Sequence, residues 1–232
     1  MKLSARLQVC ADLVRPGGGL ADIGTDHGHL PIYLLKNNIC THVIAADLRE
    51  KPLQFARQNA AIYGVKDHIE FILSDGLTDI PRGGFQTVVC AGMGGETICN
   101  ILLGAKDLWT PEYRFILQPQ SAPYELREFL GYHGFTIERE RLARDGKFVY
   151  TVMDVVWGKG TPFAPGQCYR PQGEVCRDDD LYRDHITRMI GNLKMTVEGL
   201  RKAKDGDEEK LRRLEEAYRE LCELEEDYAE GI

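Results

Sequence analysis

The stretch that decides the fold is Leu20-Ala21-Asp22-Ile23-Gly24-Thr25-Asp26-His27-Gly28-His29-Leu30. A short apolar run reaches an acidic residue, turns on a glycine and continues into a leucine-rich helical pattern. This order is typical of the strand-to-helix junction at which α/β folds bind a nucleotide-like cofactor. The sequence therefore predicts a cofactor-binding loop between a buried strand and a helix.

The glycine spacing of this loop distinguishes between classes of cofactor. A dinucleotide fingerprint needs closely spaced glycines, so that the backbone can approach a pyrophosphate. Here the pattern is Asp-x-Gly-x-Asp-x-Gly, and Asp26 stands where a glycine would admit the phosphate. A carboxylate repels a diphosphate and suits a cationic ligand. S-adenosylmethionine has a sulfonium charge and no phosphate, so the loop favours a methyl donor over NAD, and a plain turn remains an alternative.

The elements on both sides of the loop indicate a parallel sheet, because apolar runs alternate with helical patterns. The predicted strands are Leu20–Ile23, Val43–Asp47, Ile69–Leu73, Thr87–Ala91 and Arg114–Gln118. The predicted helices are Leu3–Val14, Leu30–Asn37, Pro52–Tyr63, Glu96–Leu103 and Pro123–His133.

The alternation of predicted strands and helices ends after the helix that follows the fifth strand. Two extended runs, Phe135–Arg141 and Phe148–Val156, flank the turn signal Arg144-Asp145-Gly146-Lys147 and predict an antiparallel hairpin. A dinucleotide fold normally stays parallel, whereas parallel strands closed by an antiparallel hairpin are typical of class I S-adenosylmethionine-dependent methyltransferases. We therefore expect an α/β, Rossmann-like, seven-stranded sheet with a terminal antiparallel hairpin.

The sequence after residue 158 predicts a linker or surface loop followed by a separate helical element. Residues 159–177 are rich in proline and glycine and are expected to form a linker or surface loop, after a methyltransferase domain at 1–158. In 178–232, apolar residues recur at three- and four-residue steps in two runs separated by Lys204-Asp205-Gly206-Asp207. This pattern predicts a C-terminal antiparallel helical hairpin, a short coiled coil.

The charge and the cysteine content limit the classes of function that the chain can have. The net charge is −7, and residues 176–232 carry 11 Lys+Arg against 17 Asp+Glu, so a nucleic-acid partner would be bound through local basic patches. The seven cysteines form no CxxC pair, which argues against a disulfide framework or a zinc ribbon. We expect a cytoplasmic protein with no membrane segment and no metal. The His27-x-His29 spacing is the weak alternative for a metal.

Acidic residues close the second and third predicted strands. Asp47, with Leu48 beside it, is placed to accept the ribose hydroxyls of an adenosine-containing cofactor, although a helix N-cap is the alternative. Ser74, Asp75 and Gly76 follow the third strand and are expected near the adenine, with a simple turn as the alternative.

The fourth and fifth predicted strands end in residues that suit an acceptor site. The fourth strand is followed by three glycines in four positions, in the stretch Ala91, Gly92, Met93, Gly94 and Gly95. Glycines cost backbone conformational entropy on folding, and this cost is accepted where the backbone must approach a ligand closely. The Asn/Asp-Pro-Pro-aromatic motif of many amino-methyltransferases is not found here, so backbone carbonyls and Met93 are expected to orient the acceptor. Gln118 can donate and accept, which suits a base edge, and a capped strand end is the alternative. Arg6 could reach the donor's carboxylate or could lie on a solvated helix face.

Several motifs together resemble the TrmK family of bacterial tRNA adenine-N1 methyltransferases. They are Leu-Ser-x-Arg-Leu near the N-terminus, the 21–27 loop, Ala91-Gly92-Met93-Gly94-Gly95, Leu117-Gln118-Pro119, and Gly146-Lys147-Phe148 with Tyr150. The resemblance covers about residues 1–157, and the helical tail is similar in kind. It implies S-adenosylmethionine as methyl donor, tRNA as partner and the adenine at position 22 of the D-loop as the target.

The resemblance also sets the expected roles. Asp26 is the first choice to stabilise the cationic product, and a contact to the methyl donor alone is the alternative. Met93 and Gln118 are further catalytic candidates. RNA contacts are expected from the basic residues Arg139, Arg141, Arg144, Lys147, Arg201, Lys202 and Lys204, with a solvated charged surface as the alternative for each. We expect a monomer or weak homo-oligomer. The alternatives are an NAD-dependent oxidoreductase, a non-catalytic interaction module on a methyltransferase fold, and a methyltransferase that acts on a small molecule or a protein.

Overall fold

A seven-stranded sheet forms the centre of the computed structural model, which describes residues 1–175, 180–203 and 207–230, with side chains to 227. The strand order is β3-β2-β1-β4-β5-β7-β6, and β1 to β5 are parallel. β7 runs antiparallel to both of its neighbours, β5 and β6. The strands are β1 (Gly19–Ile23), β2 (His42–Asp47), β3 (Ile69–Leu73), β4 (Thr87–Gly94), β5 (Arg114–Ser121), β6 (Phe135–Asp145) and β7 (Phe148–Trp157). This order confirms the predicted class I methyltransferase fold.

Helices cover both faces of the sheet. They are α1 (Ala5–Leu13), α2 (His29–Lys36), α3 (Glu50–Ile62), α4 (Gly95–Leu103), α5 (Pro123–Tyr132), α6 (Pro165–Cys168), α7 (Asp180–Lys202) and α8 (Glu208–Glu230). Residues of α1, α2 and α3 share one buried apolar cluster with the sheet, and residues of α4 and α5 share the other. Because both faces are covered, all five residues of β1 are buried.

Strand ends are where the structure departs from the sequence predictions. β4 and β5 each run three residues beyond the predicted ends, so Gly92 and Met93 lie within a strand and not in a turn. Gly92 is an extra residue in β4, because Ala91 pairs with Gln118 and Met93 pairs with Pro119. The final hairpin is also longer than predicted, and Asp145 pairs with Phe148 across a two-residue loop.

The segment after β7 is tied to the sheet by a buried ion pair. Arg127 of α5 and Glu140 of β6 are 2.5 Å apart, and both are almost fully buried. Arg127 also donates to the carbonyl of Cys168 at 2.8 Å, and the backbone N–H of Gln172 donates to Glu140 at 2.7 Å. Residues 165–172 are thereby held against the sheet edge. The proposed boundaries of a linker at 159–177 stay a prediction.

The tail helices α7 and α8 pack side by side in opposite directions. Leu193, Val197, Leu214 and Leu221 are buried between them. Two pairs of polar contacts, Thr187 with Glu225 and Arg201 with Glu215, mark the antiparallel alignment. Of the predicted break at residues 204–207, residues 204–206 lie outside the described residues. Within the described residues, no helix combines the length and apolar character that crossing a bilayer requires.

We predict that protonation of His185 in α7 destabilises the fold. Burial, with the charges of Arg127 and Arg188, lowers the pKa of His185 to about 4. An unfolded histidine titrates near its ordinary value of 6.5, so the unfolded state binds more protons between pH 6.5 and pH 4. Stability is therefore lost as the pH falls through this window, by up to about 3 kcal/mol.

The measurement is urea unfolding of the wild type and His185→Leu at pH 7.5 and at pH 4.5. The variant lacks the histidine contribution, so its loss of stability on acidification is expected to be smaller than that of the wild type. Equal losses in both proteins would contradict the prediction.

Candidate active site

The carboxyl ends of the parallel strands meet along one edge of the sheet, and Asp47 occupies the end of β2. Its side chain is almost buried. One carboxylate oxygen accepts a hydrogen bond from the N–H of Asp26 at 3.3 Å, and the other accepts one from the N–H of Arg49 at 3.0 Å. The end of β2 and the loop that follows β1 are therefore held together by one carboxylate.

The loop that follows β1 has an unusual backbone. Gly24, Asp26 and Gly28 have φ angles of 74°, 51° and 71°, in the left-handed region. A Cβ on Gly24 would lie 2.8 Å from the Cε of Met93, the end of a flexible side chain, so the left-handed φ angle is the reason that this position favours glycine. Asn59 of α3 donates to the carbonyl of His27 at 2.9 Å and fixes the far end of the loop.

The loop presents polar groups to solvent. The side chains of Asp26 and His27 are 68% and 44% exposed, and a carboxylate oxygen of Asp26 lies 3.6 Å from Nε2 of His27. The His27 ring also packs against Phe55 and His29, with centroids 5.2 Å and 5.8 Å away. Among the described residues, no group of three or more His, Cys, Asp or Glu side chains could hold a metal ion.

Buried polar groups lie beneath the loop. Burial raises the pKa of the Asp22 carboxyl to about 6, and the nearby charge of Asp47 acts in the same direction. The hydroxyl of Thr25 is also buried, and its hydrogen bond to the Asp22 carboxyl opposes this rise in the pKa.

A buried amide joins three elements on the acceptor side of the crevice. Oε1 of Gln118 accepts from Nη1 of Arg6 and from the N–H of Gly92, both at 3.0 Å, and Nε2 donates to the carbonyl of Pro119 at 2.9 Å. Gln118 is completely buried. A Cβ on Gly92 would lie 3.0 Å from Nη1 of Arg6, so the β4 bulge and the guanidinium are in close contact.

The third strand contributes a turn and an apolar surface. Ser74 is buried, donates to the carbonyl of Gly76 at 3.0 Å and accepts from the N–H of Asp79 at 3.1 Å, so its hydroxyl shapes the turn. Asp75 is exposed. Leu48 follows Asp47 in the chain and Leu73 pairs with Asp47 in the sheet, and they are 64% and 53% exposed although both are apolar. Exposed leucines at a strand-end crevice suit a flat heterocyclic ligand.

The structure gathers the predicted site residues at one edge of the sheet, and their individual roles stay predictions. Arg6 reaches this edge from α1 through Gln118. Sequence reasoning missed Asn59, because nothing in a helical pattern marks an amide that bonds a distant loop. A separate cleft of about 770 Å³ lies between α5, α6, α7 and α8, and none of the predicted site residues lines it.

Comparisons with known proteins show the family to which the chain belongs. The sequence matches a family model described as a methyltransferase domain over residues 3–153. A curated relative, the tRNA (adenine(22)-N(1))-methyltransferase of Bacillus subtilis, is 36% identical over 148 residues. The match covers 63% of this chain and 62% of that enzyme, so the chain spans less than two thirds of its relative's length.

Two solved structures resemble the whole chain. The B. subtilis M1A22 tRNA methyltransferase TrmK superposes with a TM-score of 0.83 at 28% identity, and the match covers 97% of this chain and 99% of that one. Streptococcus pneumoniae Sp1610, a putative tRNA (m1A22) methyltransferase in complex with S-adenosyl-L-methionine, superposes with a TM-score of 0.80 at 26% identity. That match covers 97% of this chain and 100% of the other.

We predict that Gln118→Leu destabilises the protein by about 1–3 kcal/mol, because it leaves the N–H of Gly92 and the guanidinium of Arg6 without their shared acceptor. Chemical unfolding measures the effect. The matched control is Gln120→Leu, a change of the same type at an exposed position of the same strand, for which we expect a change within about 0.5 kcal/mol. Equal stability of the two variants would contradict the bridging role of Gln118.

Proposed function

Because the chain belongs to the methyltransferase-domain family, and within it to the TrmK family, we propose that it methylates N1 of an adenine in tRNA, at position 22 of the D-loop. The methyl donor is S-adenosylmethionine. The observation that carries the proposal is the crevice at the strand ends, where Asp26 occupies the phosphate position of a dinucleotide loop and Asp47 lies at the end of β2. Neither the matched family nor the crevice supports an NAD-dependent oxidoreductase.

The residues at the crevice fit the methyl donor. S-adenosylmethionine supplies an electrophilic methyl group when it is bound. Asp47 is placed to accept the ribose hydroxyls, and the exposed Leu48 and Leu73 offer apolar contact to the adenine. Arg6 retains N–H groups beyond the one that donates to Gln118, and these suit the carboxylate of the methionine part.

Methyl transfer to N1 of adenine requires the enzyme to position the base and to stabilise the charge that develops on it. N1 lies on the pairing edge of adenine, so the target base must be unpaired or swung out of its stack. Direct attack of N1 on the methyl carbon needs no covalent enzyme intermediate, and the enzyme's main task is to orient the two reactants. Attack transfers positive charge to the purine. The exposed carboxylate of Asp26 is the group we propose to stabilise it, while Gly92 and Met93 shape the acceptor side.

RNA binding is proposed to depend on a few cations that are not already paired. Four of the basic residues expected to contact RNA form ion pairs within the protein: Arg139 with Asp154, Arg141 with Glu174, Arg144 with Asp184 and Arg201 with Glu215. Lys147 and Lys202 have no such pair within the described residues, and Lys204 lies outside them. A cytoplasmic location and a monomeric or weakly associated state stay predictions.

We predict that Asp26→Ala lowers kcat for tRNA methylation by about tenfold to a hundredfold, because it removes the carboxylate proposed to stabilise the cationic product. Affinity for the methyl donor is measured separately by calorimetry and is expected to change much less. Asp67→Ala is the control, since Asp67 is exposed near the start of β3, at the opposite edge of the sheet. Full turnover of Asp26→Ala with normal donor binding would contradict the assignment.

We predict that Asp47→Asn weakens binding of S-adenosylmethionine by at least about tenfold, because an amide cannot accept two ribose hydroxyls as a carboxylate does. Asp67→Asn is the matched control and is expected to bind the donor like the wild type. Calorimetric titration of each protein with the donor gives the comparison. A wild-type affinity in Asp47→Asn would contradict the role of Asp47.

The proposed function is tested by incubating the purified chain with unmodified bacterial tRNA and methyl-labelled donor. Nuclease digestion and mass spectrometry then locate the label. The expected product is N1-methyladenosine in the D-loop at position 22. Label on another atom or in another part of the tRNA would overturn the proposal, as would thermal stabilisation by NAD in place of S-adenosylmethionine.

A further inference from the structure

An exposed phenylalanine lies at the tip of the terminal hairpin. Phe148 directly follows the two-residue loop between β6 and β7, and 52% of its surface is accessible. Tyr150 is two residues further along β7, on the same face of the strand, with its ring centroid 6.1 Å from that of Phe148. The hairpin tip therefore presents two adjacent aromatic rings, one of them largely open to solvent.

The tip is held in place from two sides. A carboxylate oxygen of Asp145 lies 3.9 Å from Nε of Arg6, the residue that reaches the β4 bulge through Gln118. On the other side, Arg144 pairs with Asp184 of α7 at 2.7 Å, and Arg188 of α7 donates to the carbonyl of Lys147 at 3.3 Å. The rings are thus fixed next to the acceptor side of the crevice and are not carried on a free loop.

A cation accompanies the rings. Nζ of Lys147 lies 5.3 Å from the ring centroid of Phe148, and the described residues provide it with no carboxylate partner. The two carboxylates of the tip region, Asp145 and Asp184, are already opposed by arginines. An aromatic surface with an unpaired cation beside it is the combination that binds single-stranded nucleic acid, in which bases stack on rings and phosphates meet Lys or Arg.

We propose that Phe148, Tyr150 and Lys147 form a stacking platform for an unpaired nucleotide of the RNA substrate, next to the target adenine. The inference rests on the proposed function and extends it to a second nucleotide. Extracting a base costs stacking energy, and binding an adjacent unpaired base on fixed rings offsets part of that cost. Stacking tolerates any base, because every base has a π-face, so the platform contributes affinity and placement without reading sequence.

The test is equilibrium binding of unmodified tRNA to the full chain, measured by fluorescence anisotropy. Phe148→Ala and Phe148→Leu are expected to bind roughly tenfold more weakly or worse, and Phe148→Trp is expected to stay within about threefold of the wild type. The leucine variant keeps apolar bulk without a π-face and separates stacking from packing. Lys147→Gln is expected to reduce the slope of log Kobs against log salt by about 1, the effect of one lost phosphate contact.

The matched control is Tyr132→Ala. Tyr132 is 75% exposed and lies at the end of α5, which leads away from the strand-end crevice, so tRNA affinity is expected to stay within about twofold of the wild type. All variants are expected to bind S-adenosylmethionine normally. Wild-type tRNA affinity in Phe148→Ala, or in Phe148→Leu, would overturn the platform.

The outcome separates the platform from the proposed function. If the wild type binds tRNA and does not methylate it, the proposed function fails, and the binding comparison among the Phe148 variants still decides the platform. If the wild type methylates tRNA and all Phe148 variants bind like the wild type, the platform alone fails. If the wild type does not bind tRNA, both fail.

Discussion

The acceptor side of the crevice depends on one buried amide. Gln118 accepts two hydrogen bonds at 3.0 Å, from α1 through Arg6 and from β4 through Gly92. A fully buried amide has to satisfy its polar atoms, and these partners and the carbonyl of Pro119 do so. The bulge in β4 belongs to this arrangement, because Gly92 is the extra residue and its N–H is directed toward Gln118 of β5. Arg6 extends the connection to the tip of the terminal hairpin through Asp145.

The donor side depends on a carboxylate in a comparable way. Asp47 binds the N–H of Asp26 and the N–H of Arg49, so the residue expected to bind ribose also holds the cofactor loop in shape. The two interpretations weighed for Asp47, a structural cap and a ligand contact, are therefore compatible in one side chain. A carboxylate has about four acceptor positions, and two backbone donors leave room for ribose hydroxyls.

The order of strands could be predicted from the sequence because it rests on local signals. Apolar runs such as Val43–Asp47 are separated by helical patterns, and a parallel sheet with crossover helices follows. The bulge at Gly92 could not be predicted, since it depends on the register between β4 and β5, which local composition does not encode. Composition alone therefore ends the strand at Ala91 and leaves the glycines beyond it, and their place on the acceptor side stays a prediction.

The charged surface was the least predictable feature. Arg141 and Arg144 stand out in the sequence as basic residues near a hairpin, but their partners, Glu174 and Asp184, are more than 30 positions away along the chain. Tertiary contacts of this kind decide which cations remain free for RNA. The same holds for Arg127 and Glu140, whose buried pair helps to attach residues 165–172 and depends on the packing of α5 against β6.

The central claim is that the strand-end crevice binds the methyl donor with its reactive end toward the Gly92 bulge. A crystal structure of the full chain with S-adenosylhomocysteine, the demethylated donor, tests this most directly. The account predicts ribose hydroxyls on Asp47, the adenine against Leu48, and the sulfur facing Gly92 and Met93. A ligand bound in the cleft between α5 and the tail helices, or one that leaves Asp47 without contact, would contradict it.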